Sequence, residues 1–314
     1  MPAVTWGQDS LFFASGSSGL IRSLVGRRHA FFRQQLRNPF PLLMKAFPVS
    51  RLIGSLALAA LGLVGCKKDV EVPATTGTVT MYLDNGVTMP NPATGTPTFG
   101  SLVLGTGAYV NANGDDFTVS TLKYYLSNVK LLRADNTAYA LPNTYYLVDH
   151  TKPASQSLVF GNVPAGDYTR ISFVVGVDST RTKAGNFTEA VLNAGNGMLW
   201  TMNGVDEFIN VSLSGYSLKS RSGGLTFHVA GYRQAATNTI RTVTVAFPAA
   251  GSPLLVRPGQ SPKIQMRVDI AKMFSGPNPV NFANTYNVAG GAPAARIADN
   301  IAAGMFTVDY IHAK

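Results

Sequence analysis

Phe117-Thr118-Val119-Ser120-Thr121-Leu122-Lys123-Tyr124-Tyr125-Leu126-Ser127-Asn128-Val129-Lys130-Leu131-Leu132 is rich in aromatic and β-branched residues and holds neither Gly nor Pro. Such a composition suits extended chain. Turn residues bound it: Asn113-Gly114-Asp115-Asp116 before it, and Ala134-Asp135-Asn136-Thr137 after it, where a hairpin leads into Tyr139-Ala140-Leu141. The pattern repeats outward. Toward the N-terminus, Val79-Thr80-Met81-Tyr82-Leu83 alternates and Asp84-Asn85-Gly86 turns. A loop rich in Pro, Thr and Gly follows from Val87 to Gly100, before Ser101-Leu102-Val103-Leu104 resumes a strand. Toward the C-terminus, extended segments are expected at Tyr145 to Asp149, Arg170 to Val177, Phe208 to Leu213, Leu225 to Tyr232, Thr239 to Phe247, Ile264 to Val268 and Met305 to Ile311. Helical periodicity is weak, around Ile270 to Phe274 and Arg296 to Ala303, and no internal repeat is visible. Many short strands between turn signals predict an all-β fold, an antiparallel β-sandwich with long loops and at most short helices.

The single cysteine divides the chain. Cys66 ends Leu63-Val64-Gly65-Cys66, after an apolar run from Leu52 to Val64 that Lys45 and Arg51 precede. A basic start, a short apolar segment and small residues before a cysteine form the layout of a bacterial lipoprotein signal. The apolar run is too short to span a bilayer core comfortably. The expected organisation is an upstream extension at 1–43, a signal peptide at 44–65 starting from Met44, a tether at 66–78 and one sandwich domain at 79–314. Lipidation of Cys66 would hold the mature chain at a membrane of the cell envelope, on the periplasmic side or the outer-membrane surface. Seven of the 26 Lys and Arg but only one of the 16 Asp and Glu precede Cys66, leaving 19 against 15. The mature chain therefore carries about +4, not +10, and nucleic-acid binding is not indicated. An acylated Cys66 leaves no thiol for a disulfide, so stability must come from a packed core.

Chemistry-bearing residues are few in the mature chain. It holds three histidines, His150, His228 and His312, and one tryptophan, Trp200. Three imidazoles with water in an open position suffice to hold copper or zinc, provided the fold brings them together. Alternation in Leu225-Thr226-Phe227-His228-Val229 turns His228 away from the face of Leu225, Phe227 and Val229. In Phe306-Thr307-Val308-Asp309-Tyr310-Ile311-His312 the histidine is in phase with Phe306, Val308 and Tyr310, which predicts partial burial. Met198, Trp200 and Met202 alternate as core filling does, although thioethers also suit Cu(I). Asp178, Asp206 and Glu207 lack the spacing of a Ca²⁺ loop. No G-x-S-x-G, H-E-x-x-H or P-loop motif occurs in the mature chain, so an enzyme is not expected.

These segments resemble the MbnP-like family, lipoproteins and periplasmic proteins related to the partner protein of methanobactin copper cassettes. The resemblance runs from about Thr78 to His312. It is carried by Phe117 to Val129, Gly166-Asp167-Tyr168, Gly176-Val177-Asp178-Ser179, Asn196-Gly197-Met198-Leu199-Trp200, Phe227-His228-Val229, Asn238 to Val243, and Ala298-Asp299-Asn300 through Asp309. It implies a β-sandwich that binds copper through histidines, with His228 and His312 at family positions; His150 is the candidate to replace a ligand that this chain has lost. It also implies a di-haem cytochrome peroxidase partner that oxidises a tryptophan, here Trp200, to kynurenine. The chain departs from the family pattern in four places. Met202 replaces a second tryptophan, Gly204-Val205 a Gly-Tyr pair, Ser214-Gly215 a Glu-Gly pair, and Tyr310 the first of two C-terminal histidines. The alternative function is a non-metal interaction module, a glycan-binding sandwich whose exposed Tyr and Trp rings stack on sugars.

Overall fold

The computed structural model describes residues 75–202, 204–248 and 253–313. Residues 1–43, the signal at 44–65, Cys66 and most of the tether lie outside them. In chain order the strands are β1 (Thr76–Met89), β2 (Thr98–Ser101), β3 (Tyr109–Val110), β4 (Asp116–Leu132), β5 (Ala138–Ala140) and β6 (Tyr145–Asp149). Then come β7 (Ser157–Pro164), β8 (Gly166–Tyr168), β9 (Arg170–Val175), β10 (Leu199–Met202), β11 (Val205–Tyr216) and β12 (Gly224–Ala230). The last are β13 (Arg241–Ala246), β14 (Leu254–Val256), β15 (Lys263–Asp269), β16 (Asn287–Ala289) and β17 (Phe306–His312). The α-helices among the described residues are α1 (Ser179–Ala184) and α2 (Gly291–Gly304).

The fold is all-β and sandwich-like. A five-stranded sheet runs β17-β15-β1-β2, with β7 on the first half of β1. A ten-stranded sheet runs β13-β9-β4-β11-β12-β16, with β10 on β11 and with β3, β5 and β6 on β4. Val79, Met81 and Leu83 of β1 and Ile264, Met266 and Val268 of β15 face Leu122, Tyr124 and Leu126 of β4 in one buried core. Phe306 of β17 closes across the gap, its ring 6.1 Å from Tyr124 and 5.1 Å from Phe173.

Pairing is mixed where antiparallel strands were expected throughout. β1 pairs β15 in parallel from Thr80↔Lys263 to Gly86↔Asp269, and β12 pairs β16 in parallel. Parallel neighbours need a crossover, and the one between β1 and β15 contains every strand of the ten-stranded sheet except β16. No local pattern reports such a pairing. β1 also begins at Thr76, inside the segment expected as tether. The helix read weakly at 296–303 extends back to Gly291, with Ile297 and Ile301 one turn apart on its buried side. At Ile270–Met273 the chain forms a short 3₁₀ turn.

A buried polar node joins the two sheets. The Tyr124 hydroxyl of β4 donates to Asn85 Oδ1 of β1 at 2.8 Å, and Asn85 Nδ2 donates to Gln156 Oε1 at 3.2 Å. At the β3 end of the core, Phe282 packs edge-on against Phe274 at 4.8 Å and near Phe117 and Phe227 at 6.0 and 5.9 Å. Tyr124→Phe removes the donor but leaves Asn85 buried, and should cost about 1–3 kcal/mol. Phe282→Ala should cost about 3–5 kcal/mol through a cavity that these rings cannot close. Urea unfolding of the two variants beside wild type checks both values and their order.

Candidate functional site

The outer face of the ten-stranded sheet carries a second, smaller core. Tyr125, Val177, Leu192, Met198, Phe208, Ile209 and Ala230 are buried there, with Phe187, Leu199 and Trp200 packed against them. The chain from Val177 to Met202 supplies most of this cover. Its departure from β9 is held at Gly176, whose φ of 117° suits glycine and whose Cα side is occupied by Asn210. Asn210 Oδ1 accepts from Val177 N at 3.1 Å, and Asn210 Nδ2 donates to Thr239 Oγ1 at 2.8 Å. The cover returns as β10, which pairs antiparallel with β11 and sets Trp200 opposite Glu207.

Trp200 meets His228 there. Their ring centroids are 5.2 Å apart and the planes cross at 68°, an edge-to-face contact. His228 sits in the middle of β12 between Ser212 of β11 and Ala289 of β16. Leu225, Phe227 and Val229 are buried in the main core, so the alternation read from sequence holds and His228 takes the outer face. Burial holds its imidazole below the ordinary histidine pKa. Among the described residues neither ring nitrogen has a hydrogen-bond partner, and no buried side-chain nitrogen lacks one, so the His228 nitrogens are open to solvent. The arrangement is a neutral imidazole with free lone-pair capacity beside an oxidisable indole.

The other two histidines are elsewhere. His150, just past β6, is occupied on both sides: Nε2 lies 3.1 Å from Leu102 O and Nδ1 lies 3.2 Å from Asn85 Nδ2. Since a carbonyl only accepts, Nε2 carries the proton and Nδ1 accepts from Asn85. His312 ends β17 on the five-stranded sheet, opposite Lys263 and 4.6 Å from the Tyr310 ring. It is exposed, contrary to the partial burial expected from its phase with Phe306 and Val308. The cause is a bulge: Met266 pairs Val308 but Gln265 pairs Tyr310, so Asp309 is an extra residue that reverses the alternation. Ile311 turns inward and Tyr310 and His312 turn out.

Among the described residues no three His, Cys, Asp or Glu side chains gather as a metal-holding group. Asp178 caps α1 and accepts from Tyr145 at 2.6 Å, Asp206 accepts from Thr201, and Glu207 accepts from Tyr232 N. Among the described residues the three histidines therefore do not come together as one metal-holding group; both ring nitrogens of His150 are engaged, whereas those of His228 have no hydrogen-bond partner there. Sequence reading missed what flanks His228. The register places Lys123 of β4, then Ser212, then His228 in one row, and Lys123 is tied to Asp149 at 3.5 Å and to Asn196 O at 3.2 Å. Only strand pairing reveals that row.

Fold and pair together define an all-β sandwich with a histidine–indole contact on its outer face. Residues 76–292 match the family model of MbnP, well over half of the chain, and the chain belongs to the MbnP family. Among solved structures it is similar to MbnP from Methylosinus trichosporium, with 13% identity and a TM-score of 0.45, over 76% of this chain and 99% of that one. No curated protein matches the chain.

The desolvated imidazole sets a pH response. With its folded pKa below the unfolded value, the unfolded chain takes up the proton first. Stability should thus fall as pH drops below about 6.5 toward the folded value. An NMR titration should find His228 protonating at lower pH than an unfolded-chain histidine. An ordinary or raised midpoint would contradict the burial described.

Proposed function

We propose that this member of the MbnP family is a lipid-anchored protein of the cell envelope that binds copper and is not itself an enzyme. Copper engages His228, not a three-histidine cage, and Trp200 is the residue that a di-haem peroxidase oxidises to kynurenine. The edge-to-face contact of His228 with Trp200 carries this reading, because it sets a neutral imidazole, without a hydrogen-bond partner among the described residues, against the only indole of the mature chain. Imidazole suits both oxidation states of copper, and copper heads the Irving–Williams order. The basic, apolar and small-residue order around Cys66 supports the anchor. No helix among the described residues is long and apolar enough to cross a membrane.

Copper stoichiometry in protein isolated from the envelope tests the site. His228→Ala should lose bound copper, while His312→Ala and His150→Ala should retain it. Copper retained by His228→Ala, or absent from wild type, would sink the reading. Absence from wild type would favour the sugar-binding alternative, for which one observation stands: Tyr82 and Tyr310, 42% and 46% exposed, flank Gln265 on the outer five-stranded sheet. Co-expression with the peroxidase should shift the mass of the peptide holding Trp200 and of no other peptide.

Anchoring is tested separately. Cys66→Ser should move the protein from the membrane fraction to the soluble one, and a variant still membrane-bound after a high-salt wash would contradict lipidation.

A further inference from the structure

The chain enters the domain beside a group of arginines. Thr75 is the first described residue, and its carbonyl accepts from Ala165 N at 2.7 Å in the turn between β7 and β8. The same turn is gripped by cations: Arg257 donates to Gly166 O at 3.2 Å and pairs with Asp167, and Arg133 reaches Ala165 O while lying over the Tyr168 ring at 5.1 Å. Arg170, at the start of β9, donates to Asn136 in the β4–β5 hairpin that carries Arg133. Arg133, Asp135, Gly166, Asp167 and Arg257 border an open groove of about 630 Å³.

Strand direction puts further charge at this end. Leu132, the last residue of β4, lies opposite Arg170, and Lys130 lies opposite Ser172 two residues away. Lys263 begins β15 beside Thr80 of β1, and both Lys130 and Lys263 are exposed. Among the described residues this pole carries Lys130, Arg133, Arg170, Arg257 and Lys263 against Asp135 and Asp167. The other end of β4 is balanced: Lys219 and Arg221 of the β11–β12 hairpin stand near Asp115 and Asp116, and Asp116 accepts from Leu218 N.

We propose that this basic pole docks on the anionic headgroups of the membrane that holds the lipid anchor. The proposal rests on the reading of Cys66 as the acylated residue. Eight residues lie between Cys66 and Thr75, and the nine steps from one to the other reach at most about 30 Å when extended. The chain leaves the domain among these arginines, so a short tether keeps this end of the domain, and not the balanced one, nearest the lipid. Arginine suits the partner, since its guanidinium forks pair bidentately with phosphate. Lipid and pole are then two weak signals in series, as stable surface attachment requires. Docking limits the orientations in which the domain presents its outer sheet face to other envelope proteins.

Vesicle flotation tests this with the chain from residue 66 onward carrying Cys66→Ser in every arm, so that neither acylation nor the basic, apolar segment before Cys66 plays a part. Vesicles are phosphatidylcholine alone, or phosphatidylcholine and phosphatidylglycerol in equal parts, at low and high salt. The parent should bind the anionic vesicles in excess of the neutral ones, and salt should remove the excess. Replacing Arg133, Arg170 and Arg257 together by Glu should lower anionic binding on the order of tenfold or more, given the roughly fivefold that each basic residue adds near such a surface. Replacing the same three by Lys should keep most of the excess, which separates charge from a structural role of the guanidinium groups. Lys219→Glu with Arg221→Glu should change nothing. Full anionic excess in the triple Glu variant, or equal loss in the Lys219 and Arg221 variant, overturns the proposal. Failure of lipidation is read independently, from the membrane fractionation of Cys66→Ser.

Discussion

Tyr124 and Tyr125 are adjacent on β4 and both are completely buried. Successive side chains of a strand point to opposite faces, so two such neighbours can be buried only where the sheet is covered on both sides. Much else in the molecule follows from that constraint. Tyr124 enters the core between the sheets and holds Asn85 across the gap. Tyr125 enters the outer core, where its ring meets Phe208 edge-on at 5.4 Å and its hydroxyl donates to Val191 O at 3.0 Å. The outer cover is the chain from Val177 to Met202, and this is the chain that delivers Trp200 to His228.

The polar node beneath Tyr124 explains why the three histidines are not equivalent. Asn85 uses its carbonyl oxygen on Tyr124 and its amide on Gln156 and His150, while His150 completes the set on Leu102 O. Freeing the His150 ring for a metal would strand buried groups of β1 and β4, a penalty of about 1–3 kcal/mol for each orphaned group. His150 is thus held by the structure itself. His228 has no such duty among the described residues, since the β12 ladder is made by its backbone and its ring is free to act.

Legibility in sequence tracked how local each cause is. Alternation in Leu225 to Val229 was enough to send His228 to the outer face, because that strand runs without interruption through residues 224–230. The same rule failed at His312, because one bulged residue, Asp309, reverses every side chain after it. A bulge of this kind is defined by the partner strand and leaves no mark in Phe306 to His312 alone. The parallel pairing of β1 with β15 was equally invisible, as it joins segments separated by most of the domain. All-β architecture was readable because turn residues and β-formers recur along the whole chain. The histidine–indole contact was not, since β10 and β12 meet it from opposite sides of an intervening β11.

The comparison of His228 with His312 shows what the fold contributes to reactivity. His312 is exposed at a strand end, where water competes for its nitrogens and its ring is positioned chiefly by Tyr310. His228 lies mid-strand, with β11 and β16 fixing its backbone on either side and Gly290 N donating to its carbonyl at 3.1 Å. Its partial burial removes water from one side of the ring, favours the neutral form, and leaves the nitrogens reachable from the other. Desolvation strengthens whatever electrostatic contact an incoming group makes there, because fewer water dipoles screen it. Trp200 completes the contrast: partly buried, it packs against the outer core and meets the imidazole edge to face. Strand order thus brings a half-buried indole and a partly desolvated imidazole together on the outer face of this sandwich, although β10 and β12 each pair with β11 and not with one another.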